Sequence, residues 1–76
     1  MKEVTYEDWL KNPTPRMMWV WDDNDKDKDK VKRKVIYFIE NKHAHYPIIA
    51  LSEDGVISVN YKHCAEIESP RGVNYV

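Results

Sequence analysis

Two short runs of aromatic, thioether and β-branched residues, separated by a densely charged segment, constrain the fold of this chain most. Residues 16–21 have the sequence RMMWVW, and residues 34–39 have the sequence KVIYFI. Residues of these types favour strands, and apolar side chains occupy both alternating faces of each run. Strands that are apolar on both faces belong in the interior of a sheet. We therefore predict that the two runs form the central strands.

A short helix is predicted before the first strand, over about residues 5–12. Thr5 is an N-cap residue by type, and Asp8 stands three positions later, where a capping box places its second side chain. Pro13 and Pro15 end the helix because proline lacks the amide donor. Two turns are too few for a stable isolated helix. We expect one face of the first strand to meet the core and the other to meet this helix.

The second half of the chain contains a hairpin signal. Strands are predicted over Tyr46–Leu51 and Val56–Tyr61, on either side of the turn sequence SEDG at residues 52–55. A further short strand is expected around His63–Ile67. Residues 69–76, which begin with a serine, a proline and an arginine, are expected to form a frayed tail.

These elements predict a mainly β (α+β) fold. The 76 residues have room for one domain, 1–76, with the β body at about residues 16–68. The expected architecture is a small antiparallel sheet of four to five strands, as an SH3-like or half-open barrel, with one short N-terminal helix. The 12 Lys and Arg against 13 Asp and Glu give a formal net charge of −1, which indicates no particular partner.

Cysteine usage and hydropathy indicate the compartment. Cys64 is the single cysteine, so it cannot form an intramolecular disulfide, and small domains of oxidising compartments usually have several. The sequence contains neither an apolar leader nor a run long enough to span a membrane. We therefore expect a cytoplasmic protein in which Cys64 is a small buried hydrophobic residue.

The charged segment, residues 22–33, invites comparison with a calcium-binding loop. An EF-hand loop needs glycine at its sixth position and a bidentate glutamate at its twelfth. Counted from Asp23, these positions are Lys28 and Lys34, so both requirements fail. Interleaved lysines would also repel a divalent cation. A solvated connection between two strands is the favoured interpretation.

The second half of this segment is basic and is the predicted partner-binding region. Five positive charges occupy seven positions, and they would meet phosphates or an acidic protein surface. In a strand, every second lysine would share one side. Nucleic-acid binding would also need exposed aromatic side chains for stacking, with Tyr46 as one more candidate, whereas the neighbouring aspartates nearly cancel the charge locally. The predicted site residues are Lys28, Lys30, Lys32, Arg33, Lys34, Trp21, Tyr37 and Tyr61.

Histidine, cysteine and glutamate side chains form no recognisable catalytic or metal-binding pattern. The residues His43, His45, His63 and Cys64 lack the paired spacing of a zinc site, and neighbours in a strand point to opposite faces. For the same reason His63 is a poor base for a Cys64 nucleophile. Glu66 and Glu68 share one side of the last strand without an enclosing cleft. We predict no metal, no cofactor and no enzymatic activity.

Four motifs together resemble small proteins of tailed bacteriophages and prophages. They are RMMWVWDD at residues 16–23, RKVIY at 33–37, YP at 46–47 and YKHCAE at 61–66. The resemblance spans residues 16–68, with Cys64 inserted into a His-Ala-Glu-like element. It implies an accessory gene product of the bacterial cytoplasm, where small non-enzymatic proteins bind and redirect or inhibit host factors.

The predicted function is therefore a non-catalytic binding module, a phage accessory protein that binds and modulates a host or defence protein. Two alternatives stay open, a nucleic-acid-binding small barrel and a small-ligand sponge that holds a nucleotide. A homodimer formed through open sheet edges is also compatible with the sequence.

Overall fold

The computed structural model describes residues 2–23, 30–40 and 43–68. Within them the chain forms one helix and five strands. Their bounds are α1 Tyr6–Lys11, β1 Arg16–Trp21, β2 Val31–Phe38, β3 Ile48–Leu51, β4 Ser58–Tyr61 and β5 His63–Glu66. Most of the predicted charged loop, including Lys28, and the predicted tail over residues 69–76 lie outside the described residues.

The five strands form one antiparallel sheet in the order β4-β3-β2-β1-β5. The predicted mainly β fold with one short N-terminal helix is thereby confirmed. The edge strands β4 and β5 are joined by Lys62 alone. Two residue steps reach about 7 Å, whereas the edges of a flat five-stranded sheet lie about 19 Å apart. The sheet therefore curls strongly, and its two edges converge where Lys62 crosses between them.

Helix α1 begins and ends as the sequence predicts. Thr5 is the N-cap, and its hydroxyl accepts a hydrogen bond from the Asp8 amide while the Asp8 carboxylate accepts one from the Thr5 amide. This reciprocal pair is the capping box. Trp9 is the one buried residue of the helix, and its ring stacks on Phe38 with the ring centroids 5.0 Å apart. The helix is therefore held by packing on the sheet.

The core lies on one face of the sheet, and the helix covers that same face. The buried apolar residues that cluster on this face are Val4, Trp9, Met18, Val20, Val35, Phe38, Ile48, Ala50 and Cys64, whereas the buried Ala65 lies opposite Trp19. The expectation that the helix covers the opposite face of β1 is wrong. The Val4 amide donates to the Cys64 carbonyl oxygen at 2.9 Å, so the N-terminal segment runs along the β5 edge and enters above the core side. The face that bears Met17 stays open, and Met17 is 52% exposed.

Strand β2 is longer than predicted and begins at Val31 instead of Lys34. The prediction placed residues 22–33 in the loop because their charge favours solvent. Cross-strand pairing overrides this preference, since Val31 lies opposite Val20 and packs partly against the core. Three positions of the basic run consequently belong to the strand. A β-bulge follows, where the register with β3 shifts between Val35 and Tyr37.

The β3–β4 hairpin is confirmed, although its turn is longer than predicted. The Asp54 carboxylate accepts hydrogen bonds from the Ser52 hydroxyl at 2.6 Å and from the Val56 amide at 3.0 Å. Gly55 has a φ of +77°, in the left-handed region that favours glycine. These local bonds compete with strand pairing, so β4 begins two residues later than predicted. Val56 and Ile57 are consequently exposed.

The unequal faces of β1 predict unequal effects of one substitution at adjacent positions. Met18 is fully buried, so Met18→Ala should lower the free energy of unfolding by about 2–5 kcal/mol. Met17→Ala, the matched control on the open face, should lower it by less than about 1 kcal/mol. Urea denaturation followed by circular dichroism measures both values. Equal losses would contradict a core restricted to one face.

Candidate functional site

The sheet face opposite the core carries the candidate site, which we call the open face. Strand β1 contributes the side chains that alternate with its core residues, and β2 contributes lysines in register with them. The residue before β2 extends the same alternation. The open face consists of Met17, Trp19, Trp21, Lys30, Lys32 and Lys34.

The indole ring of each open-face tryptophan lies beneath the ammonium group of a lysine from β2 or from the residue before it. The Lys30 ammonium is 4.5 Å from the centroid of the Trp21 ring, and the Lys32 ammonium is 5.0 Å from that of Trp19. Such cation–π contacts at accessible sites contribute about 0.5–1 kcal/mol each. Both tryptophans are only partly buried. The open face therefore presents aromatic rings and positive charges side by side.

The charge of this face is positive although the chain as a whole is nearly neutral. Among the described strand positions on this side of the sheet, the charged side chains are Lys32, Lys34 and His63, and none is acidic, although Glu3 and Asp23 contact His63 at one end. The acidic side chains Asp23, Glu53 and Asp54 lie beyond the strand ends, at the rim. An anionic partner would therefore meet positive potential along the strands.

A shallow groove of about 640 Å³ crosses the open face. Met17 and Trp19 form one side, and the Leu51 side chain contributes from β3. The β3–β4 turn, with Glu53 and Asp54, forms the other side. The groove thus combines apolar surface and lysines with one acidic wall, and it is accessible from solvent along its length.

The structure brings together four of the predicted site residues. Trp21, Lys30, Lys32 and Lys34 share the open face. Arg33 lies opposite Met18 in the register, so it belongs to the other side of β2. Its guanidinium donates to the carbonyl oxygen of the preceding residue at 2.7 Å, and its side chain borders the groove.

The two predicted tyrosines have different positions. Tyr37 lies opposite Ile49, beyond the bulge, and is 55% exposed. Tyr61 lies opposite the buried Ile48 and packs against the core, away from the open face. The alternation of β4 decides this, because Val59 and Tyr61 share the face that bears the core.

Trp19 and Met17 were not among the predicted site residues. The alternation of Met17, Trp19 and Trp21 was visible in the sequence, but this face was expected to be covered by the helix. A signal for the correct assignment exists in the alternating lysines, because a hairpin between the two runs places lysines opposite the tryptophans.

A second cluster of charged groups lies at one end of β1. His63 contacts the Glu3 carboxylate through Nδ1 and the Asp23 carboxylate through Nε2. Asp23 also accepts from the Lys62 ammonium at 2.7 Å. The His63 ring stacks on Trp21 with the centroids 5.5 Å apart. This cluster ties the N-terminal segment, the end of β1 and the β4–β5 corner to an open-face tryptophan.

The two carboxylates favour the charged form of His63. Partial burial of the imidazole lowers its pKa, but the hydrogen bonds to Asp23 and Glu3 raise it by more, so the pKa lies above 6.5. A neutral imidazole has one N–H group and could donate to only one of the two carboxylates. The doubly protonated ring is therefore the form that fits this site.

The raised pKa of His63 predicts a pH-dependent contribution to stability. Protonated His63 stabilises the fold fully below pH 6.5, and this contribution is lost as the pH rises above 6.5 through the folded-state pKa. Glu3→Gln should lower the pKa of His63, whereas the exposed His45→Gln should leave it unchanged. NMR titration of the imidazole resonances measures it, and a His63 midpoint below 6.5 would contradict the assignment.

Cys64 faces the core and is not placed to act as a nucleophile. It lies opposite Val20, whereas the adjacent His63 lies opposite Trp21, so the two side chains point to opposite faces as predicted. The thiol is buried, as predicted, and burial raises its pKa to about 12.

Burial of the thiol predicts slow chemical modification. In the native protein Cys64 should react with dithiobisnitrobenzoate at least roughly 100-fold more slowly than in urea, because thiolate and access are both restricted. Absorbance of the released thiolate measures the two rates. Comparable rates in both conditions would show that the thiol is accessible in the folded protein.

Neither a metal-binding cluster nor a membrane-spanning helix is found among the described residues. Over residues 2–23, 30–40 and 43–68, no group of three or more His, Cys, Asp or Glu side chains is arranged to hold a metal ion. The helical part of the described chain is too short and too polar to cross a bilayer.

Comparison with protein-family models, curated proteins and solved structures finds no match to this chain.

Proposed function

We propose that this protein is a non-catalytic binding module that engages an anionic partner through its open face. The observation that carries the proposal is the alignment of Trp19 and Trp21 with Lys30 and Lys32 on adjacent strands. Aromatic side chains with a polar or cationic neighbour are typical of binding hot spots. Partly exposed tryptophans on a rigid sheet bind with little loss of side-chain entropy.

The strand order supports an SH3-like, half-open barrel as the scaffold of this module. Strands β1 to β4 form a meander, and β5 returns to pair with β1. The single-residue link at Lys62 requires the two edges to converge at one corner. A curled sheet of this kind presents its outer face as a continuous surface, and the open face lies there.

A binding function fits the side-chain chemistry better than catalysis does. His63 is held between Glu3 and Asp23, and Cys64 faces the core. Neither group is placed to attack or deprotonate a ligand on the open face. The groove is shallow and wet, so it would not provide the water-excluding environment that catalytic groups need.

The resemblance of the motifs to phage and prophage proteins suggests the biological setting. In that setting the module is an accessory protein of the bacterial host cytoplasm that binds and modulates a host or defence component. A nucleotide sponge is less well supported, because the groove is open to solvent and would not enclose a small ligand.

The proposed function predicts that partner binding depends on the open-face lysines. Lys32→Glu/Lys34→Glu should weaken binding by about tenfold or more, because two attractive charges become repulsive. The matched control Lys2→Glu/Lys11→Glu makes the same charge change away from this face and should bind normally. Partners captured from a bacterial lysate are purified, and each pair is then titrated by calorimetry.

Thermal melts of both variants establish that they are folded. Loss of binding in the control as well, or equal binding by all proteins, would contradict the open face as the partner surface.

A further inference from the structure

We infer that the anionic ligand of the open face is single-stranded nucleic acid, with bases stacked on Trp19 and Trp21 and phosphates held by the lysines of β2. The inference rests on the proposed function, because it uses the same face, and it names the ligand class. Single-strand binders combine a row of aromatic side chains with a positively charged track for the backbone. Both elements are present here in adjacent strands.

The spacing of the two tryptophans suits successive bases. They stand two residues apart in β1, so their Cα atoms are separated by about 6.7 Å along the strand. An extended single strand can place one base on each ring, since its bases are not held in a duplex. Lys32 lies opposite Trp19 in the next strand, and Lys30, the residue before that strand, lies over Trp21, so both ammonium groups are within reach of the connecting phosphates.

Binding exchanges one set of interactions for a stronger one. In the free protein Lys30 lies over Trp21, on which the His63 ring also stacks, and Lys32 lies over Trp19. A base stacked on an indole contributes more than a cation–π contact at an accessible site. The displaced ammonium groups then move to phosphate oxygens, where they release condensed counterions. The lysines therefore cover the ring faces in the free protein, and the bases of the ligand take their place on binding.

The type and position of the charges favour nucleic acid over an acidic protein surface. Recognition of carboxylates is best served by the bidentate fork of arginine, whereas lysine acts as a point charge suited to a flexible phosphate backbone. The open face presents lysines, whereas the Arg33 guanidinium at the groove already donates to the Lys32 carbonyl oxygen.

Fluorescence anisotropy with labelled oligothymidylate and oligoadenylate tests the inference. Both should bind, and log K should fall with log salt concentration with a slope of about −2, as expected for three phosphate contacts to a single strand. Indole emission should be quenched, because bases stack on the rings. A hairpin duplex of matched length should bind more weakly, since its bases are not available for stacking.

Three variants connect this binding to the proposed contacts. Lys32→Gln/Lys34→Gln should make the salt slope shallower by about 1.4, whereas the matched control Lys2→Gln/Lys11→Gln should leave it unchanged. Trp21→Ala should weaken binding by roughly 5-fold to 100-fold. Trp21→Phe keeps an aromatic ring and should restore part of this loss, which separates stacking from a defect in folding.

The outcomes separate this inference from the proposed function. Salt-insensitive or absent oligonucleotide binding, or binding that the Lys32→Gln/Lys34→Gln variant leaves unchanged, overturns the inference. Polyglutamate serves as the acidic-polypeptide probe in the same assay. If polyglutamate alone binds and depends on these lysines, the proposed function stands and the ligand class is an acidic protein. If neither probe binds, the proposed function fails together with the inference.

Discussion

The pairing of β1 with β2 is the interaction on which the rest of the structure depends. Its register places Val20 opposite Val31 on the core side and Trp19 opposite Lys32 on the open side. A shift by one residue would exchange the two faces, so that lysines would enter the core. Burial of Met18 and Val20 against the helix side therefore fixes the arrangement of aromatic and basic groups on the opposite face.

The charged cluster around His63 holds the corner at which the curled sheet brings its edges together. Lys62 crosses from β4 to β5, and its backbone amide donates to the Asp22 carboxylate at 3.0 Å. Glu3 and Asp23 approach the same corner from the N-terminal segment and from the end of β1. Because His63 also stacks on Trp21, the protonation state of the corner and the position of an open-face ring are physically linked.

Sequence patterns predicted the elements that depend on local chemistry. The capping box of Thr5 and Asp8, the pairing of the second hairpin and the burial of Cys64 follow from residue types and short spacings. The face covered by the helix could not be predicted in this way. It depends on the bond between the Val4 amide and the Cys64 carbonyl oxygen, which joins residues 60 positions apart.

The candidate site was likewise predictable where it depends on local alternation, and was not where it depends on contacts between distant residues. Alternation along the chain predicted that Lys30, Lys32 and Lys34 share one side, and the register confirms it for the two strand residues. The site also required knowledge of which aromatic side chains face those lysines. Tyr61 packs against the core because it lies opposite Ile48, whereas Trp19 lies opposite Lys32 and stays partly exposed.

A nearly neutral chain obtains a positive face because its carboxylates are engaged elsewhere. In the described residues, carboxylates serve the cap, the turn and the ion pairs, at Asp8, Asp54, Glu66, Asp23 and Glu3. Each of these carboxylates lies at a helix end, in a turn, at a corner or at a sheet edge. On the open face, Lys32 lies over the Trp19 ring and Lys30 over the Trp21 ring, and an aromatic ring attracts a cation without neutralising it. The net charge of the chain therefore does not indicate that the fold creates a basic and aromatic surface. This surface is able to accept an anionic ligand.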